Sequence, residues 1–214
     1  MIISHGRRYI FVHIPKTGGT ALSLALEARA MTDDILIGDT PKAQRRRRRL
    51  QGVQTSGRLW KHARLSDIYG LVDQQEIEAF FTFTLVRNPW DRMVSYYHWL
   101  RAQGFEHPAV RLAQGLEFSA FLDHPQTRAS LAAAPYGSYM QDRDGVERCD
   151  AFIRLEHLDE DMAPLAAHLG FVPEMGRANE SARQADYRAY YTDSLAARVA
   201  RICAPDIERF GYKF

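Results

Sequence analysis

The chain has 214 residues, 46 % of them hydrophobic and 25 % charged, a mixture that builds a globular core without disulfide staples and excludes general disorder. Lys and Arg number 28 against 26 Asp and Glu, a net charge of +2, which excludes a protein that coats nucleic acid through a uniform positive excess. Cys149 and Cys203 lie too far apart for a CxxC zinc site or a disulfide framework. They read as reduced thiols, and no apolar run approaches the roughly 20 residues of a membrane span. The expectation is one cytoplasmic domain spanning residues 1–214.

In chain order, the first element is YIFVHI, residues 9–14, β-branched and aromatic and closed by Pro15. It reads as a buried strand of a parallel sheet. Residues 20–30, TALSLALEARA, carry helix formers with Leu22, Ala25 and Leu26 on one face. Pro15-Lys16-Thr17-Gly18-Gly19 joins the two. Residues 41–64 stand apart, with nine positive side chains and no acidic one. They read as a solvated basic loop insertion.

A second strand is expected at residues 80–86, then Arg87-Asn88-Pro89, then a helix over 90–100 that Pro89 can start. Asp144-Gly145 marks a turn before a third strand at 151–155. A helix over 157–169 follows, stopped by Gly170, and another over 192–203 with Thr192 as its N-cap. Strands alternating with helices predict an α/β class: a P-loop-like three-layer fold with a central parallel sheet flanked by helices.

The turn PKTGGT carries chemistry. A helix N-terminus presents unpaired N–H groups and the positive end of the helix dipole. Gly18 and Gly19 let a phosphate approach the backbone, Lys16 adds a mobile charge, and Thr17 and Thr20 add hydroxyls. The order of residues is not that of a Walker A motif, in which Lys follows the last glycine and the next hydroxyl holds magnesium. The second turn places Arg87 where a strand delivers its side chain to the carboxyl edge of a sheet, with Ser95 two helical turns on. Two such sites imply a ligand with two separated phosphate-like groups.

IFVHIPKTGGTAL and FTLVRNPWDRMVSYY resemble the two nucleotide-binding motifs of the PAPS-dependent sulfotransferases, in the branch containing the carbohydrate sulfotransferases. FIRLEHL, HLGF and the C-terminal stretch extend the resemblance over most of the chain, residues 30–60 and 103–134 excepted. It implies that Lys16, Thr17, Gly18, Gly19 and Thr20 hold the 5′-phosphosulfate of PAPS, and Arg87 and Ser95 the 3′-phosphate. Arg183, in Asn179-Glu180-Ser181-Ala182-Arg183, falls where a late family loop closes over the nucleotide. The implied reaction moves a sulfonyl group from PAPS to a hydroxyl or amine of a carbohydrate or small metabolite, with no metal required. Lys16 then supports the leaving phosphate.

The acceptor needs a base near neutral pH. His62 matches the branch's catalytic histidine, with His13 as second choice; a surface position for His62 and a core position for His13 are the plainer alternatives. The basic segment ends beside His62, which favours an anionic acceptor or draws in PAPS. Taking its nine charges from the total of +2 leaves −7 on the rest of the chain. Tyr96, Tyr97, Trp99, Tyr136 and Tyr139 are candidates to line a sugar site, although packing explains most of them. Three other readings compete: a magnesium-dependent nucleotide kinase, a binder of polyanions through residues 45–49, and a family member that binds nucleotide without transfer. Neither a specific nucleic-acid partner nor an oligomeric state follows from the sequence.

Overall fold

The computed structural model describes residues 1–176 and 183–214. In chain order it runs β1 (Ile2–Ser4), β2 (Tyr9–Val12), α1 (Gly19–Ala28), β3 (Ile35–Leu36), α2 (Pro41–Arg46), α3 (Gln74–Ala79) and β4 (Phe81–Val86). Then come α4 (Pro89–Arg101), α5 (Pro108–Gly115), α6 (Phe118–Asp123), α7 (Pro125–Ala132), β5 (Ala151–Arg154), α8 (Leu158–Asp161), α9 (Ala163–Leu169), α10 (Asp193–Ile202) and α11 (Ala204–Phe210). Two compact units result, residues 1–86 with 136–179 and residues 87–135 with 180–214. Among the described residues no helix is long and apolar enough to cross a membrane.

The first unit is built on a five-stranded sheet in the order β3-β1-β2-β4-β5. The three strands expected from the sequence form its parallel part, β2 beside β4 and β4 beside β5. The sheet is extended by an antiparallel edge, β1 and β3, whose three and two residues are too short to announce themselves by pattern. Registers Phe11↔Phe83 and Leu85↔Ile153 put Tyr9, Phe11, Phe83, Leu85 and Ile153 on one face, packed with Leu22 and Leu26 of α1 and Leu165 of α9. The alternate residues Ile10, Val12, Thr82, Thr84 and Val86 are buried as well, as expected of parallel strands covered on both faces. The helix expected over 157–169 is divided in two around Met162. Pro164 has no N–H to continue the ladder, and Gly170 ends the second piece at φ 74°.

The basic segment corrects an expectation. It is not wholly loop: Thr40 caps α2 by accepting from the Ala43 N–H, Pro41 starts the helix, and residues 47–50 continue as a 3-10 turn. Those are the signals of a helix start, overlooked beneath the charge run. Three of its cations are tied down by carbonyl oxygens at or just beyond the C-terminal end of α1: Lys42 on Glu27, Arg46 on Met31 and Asp34, Arg49 on Thr32. A helix C-terminus concentrates unpaired C=O groups and negative dipole, so it accepts cations readily. Arg45, Arg47 and Arg48 remain exposed.

The second unit is organised by α4, whose Trp90, Met93, Val94, Tyr97 and Leu100 recur at helical spacing and enter one core with Phe118, Phe121, Leu195 and Val199. Trp90 donates its indole N–H to the Ala196 carbonyl at 2.9 Å. Tyr97 is equally buried and donates to the Leu116 carbonyl. Tyr136 and Tyr139, in the first unit, are buried too.

One side chain docks the basic helix. The Thr40 hydroxyl donates to the buried Glu27 carboxylate (2.7 and 2.8 Å) while capping α2. Thr40→Ala removes a cap and leaves a buried acid short of a donor. It is expected to lower unfolding free energy by about 2–3 kcal/mol in urea melts, with Thr40→Ser close to wild type.

Candidate functional site

The first-unit part of the site begins where β2 ends. Residues 15–18 form the turn into α1, with Lys16 at φ 66° and Gly18 at φ 90°. Lys16 is the costlier of the two, since a residue with a Cβ avoids this region. Gly18 could not carry a side chain on either ground: besides its φ, a Cβ there would stand 2.8 Å from Leu155 Cδ1. The helix α1 that follows has no side-chain N-cap and no acid in its first turn. By contrast α2, α3 and α4 are all capped, by Thr40, Asp73 and Asn88. A first turn without a side-chain cap, opened by two glycines and flanked by Lys16, is suited to take an anion.

The predicted loop residues are thus brought together, with one difference in role. Thr17 is fully buried and its hydroxyl donates to the Ile14 carbonyl at 2.9 Å, so that hydroxyl shapes the turn. Thr20 is half-buried in the first turn of α1.

Gly19 is bare for a different reason: a Cβ there would lie 2.1 Å from His13 Cδ2. The His13 imidazole therefore packs on the helix start, only 6 % exposed, and burial holds its pKa well below the usual value, with nearby positive charges adding to the effect. Its carbonyl accepts from His62 Nδ1 at 2.8 Å. A carbonyl can only accept, so Nδ1 carries the proton and Nε2 keeps its lone pair. Burial pushes the His62 pKa down to about 4, with the Lys61 charge helping and the bond to His13 opposing. His62 is therefore a neutral imidazole at pH 7, with Nε2 unprotonated. Its ring meets His13 at 4.7 Å between centroids and Trp60 at 5.0 Å, both edge to face.

The second-unit part contains Arg87, Ser95 and Arg183. Residues 177–182, which include Asn179, Glu180, Ser181 and Ala182 of the late loop, lie outside the described residues. Arg87 follows the last residue of β4, and its Nε and Nη2 both donate to Asp91 Oδ2, at 2.9 and 2.6 Å. Arg183 pairs through Nη2 with the other carboxylate oxygen, Asp91 Oδ1, at 2.6 Å. One carboxylate thus holds two guanidinium groups, leaving a positive surplus. Arg183 Nη1 is buried without a hydrogen-bond partner, as is His98 Nε2. Ser95 is buried on α4, four residues after Asp91 and three before His98, on the same helical face. A half-buried cluster with excess positive charge and an unmet guanidinium donor is chemically matched to a phosphate dianion.

Asp91 and His98 were not singled out from the sequence. The i,i+4 spacing of Arg87 and Asp91 across the start of a helix is the signal that could have found the first. His98 lies one turn beyond Ser95 and had none. Among the described residues no group of His, Cys, Asp or Glu is placed to hold a metal ion.

The sequence profile described as the sulfotransferase family matches residues 1–213. The crystal structure of mouse sulfotransferase SULT7A1 complexed with PAP is similar to this chain with a TM-score of 0.49 and 16 % identity, over 93 % of this chain and 83 % of that one. No curated protein sequence matches it.

The two depressed histidines give stability a pH dependence with a definite sign. Unfolded, each titrates near 6.5; folded, His62 titrates near 4 and His13 also lower. Between those values the unfolded chain binds more protons, so stability falls as pH drops from about 7 toward 4. Tm measured from pH 7 to 5 is expected to decline, and to decline less steeply in His62→Gln; parallel slopes would contradict the depressed pKa.

Proposed function

This chain belongs to the sulfotransferase family, and we propose that it moves a sulfonyl group from PAPS to an acceptor hydroxyl, leaving adenosine 3′,5′-bisphosphate. The observation that carries the reading is the N-terminus of α1, without a side-chain cap and flanked by Lys16, one residue pair away from a neutral His62 held by the His13 carbonyl. Lys16 and the backbone of residues 18–20 receive the 5′-phosphosulfate. Arg87, Ser95 and Arg183 receive the 3′-phosphate, which displaces part of the two arginines' bonding to Asp91.

His62 Nε2 takes the acceptor's proton as the acceptor oxygen forms its bond to sulfur. The bond from sulfur to the bridging phosphate oxygen breaks in line, and its electron pair stays on that oxygen. Lys16 and the α1 N-terminus stabilise the charge that develops there. Such a transfer asks the protein mainly for placement and electrostatics, because the group in flight needs no covalent partner from the chain. No step calls for a metal. Several nearby cations and a low-pKa imidazole are consistent: the Lys61 charge disfavours the imidazolium, so His62 stays neutral and does not repel the loop's positive charge.

A thermal shift with adenosine 3′,5′-bisphosphate in EDTA tests this. Saturation at about a hundredfold over Kd stabilises the fold by about 2.7 kcal/mol, roughly 5–10 °C in Tm. Arg87→Ala is expected to weaken the bisphosphate at least tenfold while barely changing adenosine 5′-phosphate. A shift seen only with ATP and magnesium, or an unaltered preference in Arg87→Ala, would refute the reading.

A further inference from the structure

His98, a titratable side chain of the second unit, takes no part in the transfer chemistry. Its Nε2 is nonetheless buried without a hydrogen-bond partner. Positions 91, 95 and 98 recur at helical spacing, so the imidazole continues the stripe of α4 that carries Asp91 and Ser95. Arg183 Nη1 is in the same unmet state. The two groups could satisfy one another, guanidinium N–H to imidazole lone pair, and they do not. A buried polar nitrogen left open is costly, and a ligand that reaches it recovers that cost on binding.

The ring is held in place by its neighbours. Tyr97 and Tyr190 meet it edge to face, at 5.4 and 5.2 Å between centroids. Their hydroxyls are engaged elsewhere, Tyr97 with the Leu116 carbonyl and Arg101, Tyr190 with the Gln184 N–H. Burial first, then the charges of Arg183 and Arg101, hold the His98 pKa below its usual value. Asp91, the acid on the same stripe, is occupied by Arg87 and Arg183. The empty site therefore keeps His98 neutral, and a dianion arriving beside it reverses the sign of the local field. We propose that His98 is a further ligand of the anion held by Arg87, Ser95 and Arg183: it takes up one proton from solvent as the anion binds and donates Nε2–H to a phosphate oxygen. The inference rests on the sulfonyl-transfer reading above, which puts the 3′-phosphate there. An imidazolium beside two guanidinium groups rewards a phosphate and gives nothing comparable to a 3′-hydroxyl, so His98 sharpens the choice of a 3′-phosphorylated nucleotide. Because binding takes up a proton, affinity rises as pH falls.

The test uses the full chain, histidine-labelled, with adenosine 3′,5′-bisphosphate, adenosine 5′-phosphate and inorganic phosphate as probes. Nitrogen-15 NMR at pH 7 is expected to show one protonated nitrogen on the free His98 ring and two once the bisphosphate is bound. Bisphosphate affinity, read by calorimetry, should rise severalfold from pH 8 to pH 7, above the phosphate's own titration near roughly pH 6. His98→Gln keeps an N–H donor but cannot gain a proton; it should flatten that rise. His98→Ala should weaken the bisphosphate about tenfold at pH 7, the scale of one hydrogen bond to a charged group. Adenosine 5′-phosphate should bind all variants equally, which a damaged fold would not allow. If the bisphosphate binds while His98 keeps a single proton, or His98→Gln keeps the wild-type pH slope, the His98 assignment falls and the sulfonyl-transfer reading stands. If the bisphosphate does not bind but inorganic phosphate still puts a second proton on His98, the anion ligand stands and the sulfonyl-transfer reading falls. A His98 ring that responds to neither overturns the assignment.

Discussion

His13 is the fixed point of the first-unit site. It stands one residue beyond β2, where the strand's hydrogen bonding has ended and its carbonyl is available to a side chain. That carbonyl orients His62, and the His13 ring fills the space that any side chain at Gly19 would need. His62 and the turn into α1 are therefore both referenced to the same residue. Neither could shift by an ångström without breaking a 2.8 Å hydrogen bond or vacating a packed contact. Burial does the rest: rings this enclosed lose the protonated form, so both histidines stay neutral.

The chain holds its positive charge in two different ways. In the basic segment, Lys42, Arg46 and Arg49 close off the carbonyl-rich end of α1, a structural duty that leaves Arg45, Arg47 and Arg48 to the solvent. The small net charge of the sequence thus conceals a local basic surface, although a smaller one than nine residues suggested. In the second unit, Arg87 and Arg183 share one carboxylate, which keeps both guanidinium groups ordered without neutralising them. An anion arriving there meets donors already in place, and the entropy of ordering two long side chains has been met during folding.

Much of this was legible in the sequence, and the reason is local. The three parallel strands announce themselves as unbroken apolar runs, and the turns after two of them carry glycines, prolines and cations whose chemistry is fixed by residue type. Thr192 and Gly170 were readable as cap and stop because capping depends on a few neighbouring atoms. The antiparallel edge was not readable, since strands of two or three residues have no period. Nor was α2, because the charge run masked Thr40-Pro41. Asp91 went unmarked because what distinguishes it, a second arginine from far along the chain, is set by tertiary placement.

The central claim, that His62 is a neutral base held by its Nδ1–H, is most directly measured by nitrogen-15 NMR of histidine-labelled protein at pH 7. The account requires His62 to show a protonated Nδ1 and an unprotonated Nε2, unchanged down to about pH 5. A protonated Nε2 at neutral pH, whether in the other tautomer or as imidazolium, would contradict it.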